Sequence, residues 1–334
     1  MLEVRSFWKS KGSNKGEWSS DNIMSTSNET VSAAAFLLTG FPGLEKKHIW
    51  LSTPICSTSL IAIAGNCTIL FIIRTEQILH KPMYYFLCML ALSDLGLSIA
   101  TLPTMLRVLW FNHHIIHFNI CLIQMYFIHT FSIVESGILL AMAFDRLVAI
   151  QNPLRYTSIL TNRNITKIGV GVALRAALLL FPTAILLKRQ RYGRVNVLSY
   201  LFCLHQDILN VVHSDRKISS IYGLMVVISS MALDSVLLVF SYIMILKTVL
   251  SIASKQERLW ALNTCISYIC AVLTFYIPMI GLSMIHRYGK NAPPIVHILM
   301  ANVYLLVPPL MNPTVYSVKT KQIQTRIIRQ FWKS

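Results

Sequence analysis

The stretch MAFDRLVAIQNPLRY, residues 142–156, sets two adjacent charges, Asp145 and Arg146, near the end of a long apolar run. That run opens at Cys121, 24 positions upstream. A helix rises 1.5 Å per residue, so this length spans about 36 Å. The hydrocarbon core of a bilayer is ~30 Å thick, so a helix with Cys121 at one face of the membrane delivers Asp145 and Arg146 to the other. A charge there costs far less than at mid-membrane, and the neighbouring acid can hold the guanidinium until something competes for it. The pair reads as a latch at the inner mouth of a membrane protein.

The rest of the chain agrees with a membrane setting. Of 334 residues, 54% are hydrophobic and 13% charged, whereas soluble domains run to about a quarter charged. Seven runs are long enough to cross: Ile49 to Ile73, Met83 to Leu106, Cys121 to Ile150, Ile165 to Leu187, Ile221 to Leu250, Leu259 to Ile285 and Ile295 to Tyr316. They lack the two-residue alternation of barrel strands, and lipid leaves no backbone group unpaired, so each is read as a helix. The expected fold is an all-α membrane protein, a seven-transmembrane helix bundle. Pro54, Pro103, Pro182, Pro278 and Pro313 lie inside spans and predict kinks, with neighbouring helices satisfying the freed carbonyls. The formal charge of +17 sits in loops and forms no continuous stripe, which argues against a nucleic-acid partner.

Basic residues are balanced between the two sides, since the loop KRQRYGRVNVLSY (188–200) is as cationic as the opposite face. Orientation therefore rests on other features. Asn28, in the sequon NET ahead of the first span, fits a glycosylated extracellular N-terminus. Asn66 and Asn164 also begin sequons, but one lies within a helix and the other at the opposite side. Cys56, Cys67, Cys88, Cys265 and Cys270 fall within spans and read as packing residues. Cys121 and Cys203 share one mouth of the bundle, which fits a disulfide in an oxidising compartment. Residues 1–48 are expected to be an extracellular tail, with 1–23 a disordered extension ahead of Met24. Residues 49–316 form the bundle, and 317–334, with KTKQIQTRIIRQFWK, form a short amphipathic helix on the cytoplasmic leaflet. A solvated basic tail is the plainer reading of that last segment.

MAFDRLVAIQNPLRY resembles the olfactory-receptor signature usually written MAFDRYVAICNPLRY, from a branch of the rhodopsin-like G-protein-coupled receptors. The likeness continues through LTGFPGLE (38–45), GN (65–66), KPMYYFLCMLALSDLGLS (81–98), SY (241–242), ALNTC (261–265) and NPTVY (312–316). PMYYFL and GFPGLE resemble the class I, or fish-like, division, whose ligands are often carboxylic acids and other water-soluble odorants. The resemblance implies that Arg146, beside Asp145, swings toward a stimulatory G protein when the sixth helix moves outward. It implies that Asn312, Pro313 and Tyr316 reposition in the same step with Tyr242 as partner. Asp94 and Glu135 would share a mid-membrane site; two carboxylates that close cannot both be charged and dry, so the site calls for a proton or a sodium ion. Separate satisfied polar groups are the alternative reading.

For the ligand, the resemblance points to His129, Ser283 and Arg287, with the arginine pairing a carboxylate and Gln206 of CLHQD closing over it. His129 lies about 12 Å below Cys121, and Ser283 and Arg287 are spaced i, i+4 on one helix face. Taken alone, Arg287 in HRYG reads as a snorkelling helix end and His129 as a core histidine. Several positions depart from the family pattern: Leu147 for tyrosine, Gln151 for cysteine and Trp260 for lysine near the G-protein cavity, which puts coupling efficiency in question. A second loop disulfide is missing, its two positions falling near Gly193 and at His213, which predicts a looser loop. The expected function is an odorant receptor raising cAMP. The competing readings are the same receptor type as a non-olfactory chemosensor, or a membrane transporter, against which Arg175 and Asp234 count as isolated charges in the fourth and fifth spans. No nucleophile, metal-cluster or phosphate-loop motif suggests an enzyme.

Overall fold

The structure is a computed structural model that describes residues 35–40, 48–193, 196–251, 254–288, 293–319 and 324–325. Seven long helices cover all seven apolar runs: α1 (His48–Thr75), α2 (Pro82–Leu109), α3 (Phe118–Gln151), α4 (Asn162–Lys188), α5 (Lys217–Leu250), α6 (Lys255–Tyr288) and α7 (Pro294–Lys319). By length and apolar composition, five of them qualify as membrane spans on their own. The other two are α3, which carries Glu135, Asp145 and Arg146, and α6, whose apolar part is Ile269–Ile285. Residues 1–34, with Asn28 and the expected disordered extension, and most of 320–334, with the expected amphipathic helix, lie outside the described residues.

At or beside three of the prolines inside helices, a side chain of a neighbouring helix bonds the backbone. Pro313 cannot donate to the carbonyl of Pro309, and Asn66 Nδ2 of α1 takes that oxygen at 2.9 Å. Close to the Pro103 kink, Gln124 Nε2 of α3 donates to Ala100 O at 2.8 Å. Beside Pro182, Tyr222 of α5 donates to Leu179 O at 2.9 Å. At these three prolines the backbone is tied to a side chain on another helix, which helps fix how the helices meet. Gly65 suits the first of these meetings: a Cβ there would crowd Pro313 Cγ at 3.1 Å. The GN pair of α1 and the NP pair of α7 thus interlock. Within α5, residues Ile228–Ala232 form one π-helical turn, which resets the register of the inner half and brings Asp234 to full burial.

The outer mouth carries a feature that the all-helical reading did not contain. Three short strands, β1 (Ala35–Leu38), β2 (Ile115–His117) and β3 (Asn196–Leu198), form a sheet in the order β2-β1-β3. β1 pairs antiparallel with β2 and parallel with β3. Phe36, Leu38, Ile116 and Leu198 bury their side chains beneath it in the outer core, together with Cys121, Cys203 and Met125. After the strand, Gly40 takes a φ of 67°, a left-handed conformation that lets the chain turn away. The segment 35–38 is therefore a structural strand within what the sequence presents as a tail.

Candidate functional site

Cys121 and Cys203 form the disulfide, with Cα atoms 5.5 Å apart. It brings the loop between α4 and α5 down onto the start of α3. Gln124, one turn below Cys121, accepts from Cys203 N through Oε1 at 3.0 Å while its amide donates to α2. Two residues on, His205 N donates to His129 Nε2 in a long 3.4 Å contact. His205 itself is buried, and a Cβ on Gly223 of α5 would lie 2.5 Å from its Cε1. Burial pushes its imidazole down to about 4, because the charged form would lose water. The loop thus roofs the outer half of the bundle, with His129 beneath it.

The other ligand candidates are placed less closely. Gln206 is exposed in the short helix His205–Asn210, and His205 takes the inward position beside it. Ser283 is exposed on α6. Arg287 belongs to the last turn of α6, and its side chain lies outside the described residues. The roof also contains Asp207, whose Oδ2 accepts from Ser199 N at 2.7 Å. Burial raises its carboxyl to about 7, against the lowering effect of the Ser199 and Tyr200 backbone donors. Gly193 and His213, the positions expected to lack a second loop disulfide, are adjacent: a Cβ on Gly193 would lie 2.8 Å from the imidazole. The expected loosening is countered by an antiparallel bridge, Tyr192 to Val212, and by His213 N donating to Arg191 O at 3.0 Å.

Below the roof, Asp94, Glu135 and Asn312 meet in mid-bundle. Asn312 Nδ2 donates to Asp94 Oδ2 at 3.0 Å and to Glu135 Oε1 at 3.1 Å, and all three side chains are buried. Asn312 Oδ1 is buried with no hydrogen-bond partner. One amide supplies two hydrogens to a group of carboxylate and carbonyl oxygens, so the site has more acceptors than donors. That donor set fits a shared proton or a small cation.

The sequence reading of Arg175 and Asp234 as isolated charges is corrected here. Arg175 Nη1 and Nη2 donate to Asp234 Oδ1 and Oδ2 at 2.9 and 2.6 Å. Ser136 of α3 donates to the same carboxylate at 3.0 Å and shares a 2.8 Å hydrogen bond with Tyr276 of α6. Four helices are joined through one buried acid. An acid and a base inside neighbouring spans are natural partners, since neither is stable in lipid unpaired, but the sequence does not phase the two helix faces onto each other.

At the inner mouth, Arg146 donates to Asp145 Oδ2 through Nε at 2.9 Å and Nη2 at 2.5 Å. Tyr156, at the end of the signature stretch, donates to Asp145 Oδ1 at 2.7 Å. Burial and the adjacent carboxylate raise the Tyr156 phenol, so it remains a donor. Tyr242 of α5 donates to Cys265 O of α6 at 2.6 Å, tying those helices together beside the latch. Leu147 and Ile150 pack against Ile245, Val249 and Cys265 in a small inner cluster. Pro313 is buried against α1, whereas the side chains of Tyr316 and Trp260 lie outside the described residues.

Comparison with known proteins places this geometry. The olfactory receptor family model matches residues 55–334. The human olfactory receptor 51G2 is 56% identical over 308 residues, covering 92% of this chain and 98% of that receptor. The human olfactory receptor 51L1 is 54% identical over 296 residues, covering 89% of this chain and 94% of that one. The crystal structure of squid rhodopsin superposes with a TM-score of 0.71 at 17% identity, covering 87% of each chain. That last likeness supports the seven-helix architecture.

Proposed function

Because the chain belongs to the olfactory receptor family, in its class I division, we propose that it detects a carboxylic acid in the outer half of the bundle and signals through a stimulatory G protein that raises cAMP. The coarser statement follows from membership: this is a multi-pass plasma-membrane odorant receptor, with an odorant ligand and a G protein as partners, and it is not an enzyme.

The observation that carries the proposal is the division of labour along α3. At one end His129 faces a disulfide-anchored roof, and at the other Arg146 is held by a buried acid. A ligand settling at the first end has a single rigid element through which to bias the second. The acid class rests on the family resemblance at Arg287: a guanidinium turned into a bundle would pair with a carboxylate in bidentate fashion. His129 and Ser283 add hydrogen-bonding capacity on the flanking helices, and Gln206 on the roof. Between the two ends, Asp94, Glu135 and Asn312 hold a proton or a sodium ion. This chain's residues there supply only oxygens toward it, apart from the Asn312 amide.

A cAMP reporter screen of aliphatic acids, alcohols and aldehydes tests the reading, with Arg287→Ala in parallel. Acids are expected to be the active class and Arg287→Ala to abolish their effect at unchanged surface expression. Equal responses from parent and variant to every active acid would remove Arg287 from the site.

A further inference from the structure

β1 reaches the outer mouth from the N-terminal side of the bundle and lies between the two extracellular loops. β2 belongs to the loop before α3 and β3 to the loop before α5, and both pair with β1. Leu38 N donates to His114 O at 2.9 Å on one side. On the other, Thr39 N and Thr39 Oγ1 both donate to Leu198 O at 3.0 Å. Phe36 is 1% exposed. Its ring lies 5.7 Å from Phe118, the first residue of α3, and 5.6 Å edge-on from Tyr192 in the roof loop. Those two rings also touch, at 5.0 Å.

A loop pinned at one point can pivot about it. The disulfide pins the roof at Cys203. β1 supplies a second fixed point at Leu198, five residues upstream, and Asp207 ties the Ser199 amide to the helix carrying His205. With two fixed points, the height of His205 over His129 is set. We propose that Ala35–Leu38 are a positioning element of the ligand site, with Phe36 as its anchor: the strand holds the roof loop down on α3, and loosening it opens the way from extracellular water to His129. The N-terminal segment then governs how long a ligand stays, without touching it. This rests on the outer hollow being the ligand site, but the test needs no odorant, so the two can fail separately.

The probe is a positively charged, membrane-impermeant methanethiosulfonate applied to intact cells expressing the full chain with His129→Cys. The chain without that substitution supplies the background from its free cysteines. The His129 contact to the roof is absent from every arm that carries His129→Cys, so those arms compare the strand alone. Adding Phe36→Ala is expected to speed labelling of surface receptor about tenfold, the factor that ~1.4 kcal/mol of local opening represents. Phe36→Leu, which keeps apolar bulk, should return most of the protection. If Phe36→Ala does not reach the surface, Thr39→Val removes one hydrogen bond to Leu198 and should speed labelling roughly two- to fivefold. Equal rates in parent and loosened strand, or Phe36→Leu labelling as fast as Phe36→Ala, would overturn the proposal.

Discussion

Arg175 and Asp234 form a bidentate ion pair between α4 and α5, with the acid fully buried and the arginine side chain 33% exposed. The asymmetry in exposure predicts an asymmetry in the cost of breaking it. Arg175→Met leaves a carboxylate with no cation and no water, a loss of roughly 3–5 kcal/mol. Asp234→Asn leaves a guanidinium that can still reach the helix surface, and Asn keeps an oxygen for Ser136, so the loss should be clearly smaller. Thermal unfolding of the detergent-solubilised receptor measures both. The reverse order, or equal losses, would mean that the pair is not what holds these helices.

The latch makes a second prediction. Asp145 accepts from Arg146 and from Tyr156 and has no exposed surface. Asp145→Asn removes the charge that competes with a cytosolic partner for the guanidinium, so ligand-independent cAMP should rise severalfold. Tyr156→Phe deletes one hydrogen bond and should raise it less, in keeping with ~1 kcal/mol for such a bond. Arg146→Ala should abolish odorant-evoked cAMP at unchanged surface level. An intact response in that variant would show that the arginine is not the coupling element.

The mid-bundle site gives a third. Asn312 spends both amide hydrogens on Asp94 and Glu135 and leaves its own oxygen without a partner. If sodium fills this oxygen-rich site, replacing choline by sodium at constant ionic strength raises the melting temperature of the purified receptor by mass action. Asp94→Asn should cancel that rise. A parent receptor indifferent to sodium would assign the charge balance to a proton.

The helices and the latch were legible because both are governed by one dimension, the thickness of the bilayer. Apolar length locates the spans, and 24 residues of α3 place Asp145 opposite Cys121. The GN, NPTVY and DR landmarks were assigned from the family resemblance rather than from helix geometry. The sheet was not legible. β1 is four residues long and owes its order to two loops distant in sequence, so no periodicity marks it. The Arg175–Asp234 pair escaped for a related reason: helix faces cannot be phased between spans from one sequence, and α5 changes phase at its π turn. Gln124 gave no signal either, since its partners are backbone groups of α2 and the roof and one hydroxyl, Thr104, on α2.

The roof should respond to extracellular pH through Asp207. Its carboxyl is raised from 3.8 to about 7, chiefly because burial penalises the charged form. A raised acid binds its proton more tightly folded than unfolded, so its stabilising contribution is complete below 3.8 and is lost as pH rises through about 7. His205, held down from 6.5 to about 4 by burial, works in the opposite direction: its unfolded form gives up a proton near 6.5, so its contribution grows as pH rises, and only a comparison of parent with variant isolates Asp207. The groups packed on Asp207 are the Ser199 and Tyr200 amides, and the Tyr200 phenol is itself raised, so neither adds a charge. From a pH of about 6 to about 8 the parent receptor should therefore fall in melting temperature relative to Asp207→Asn, which cannot ionise and keeps only the histidine contribution. An equally steep pH dependence in the variant would place the titrating group elsewhere.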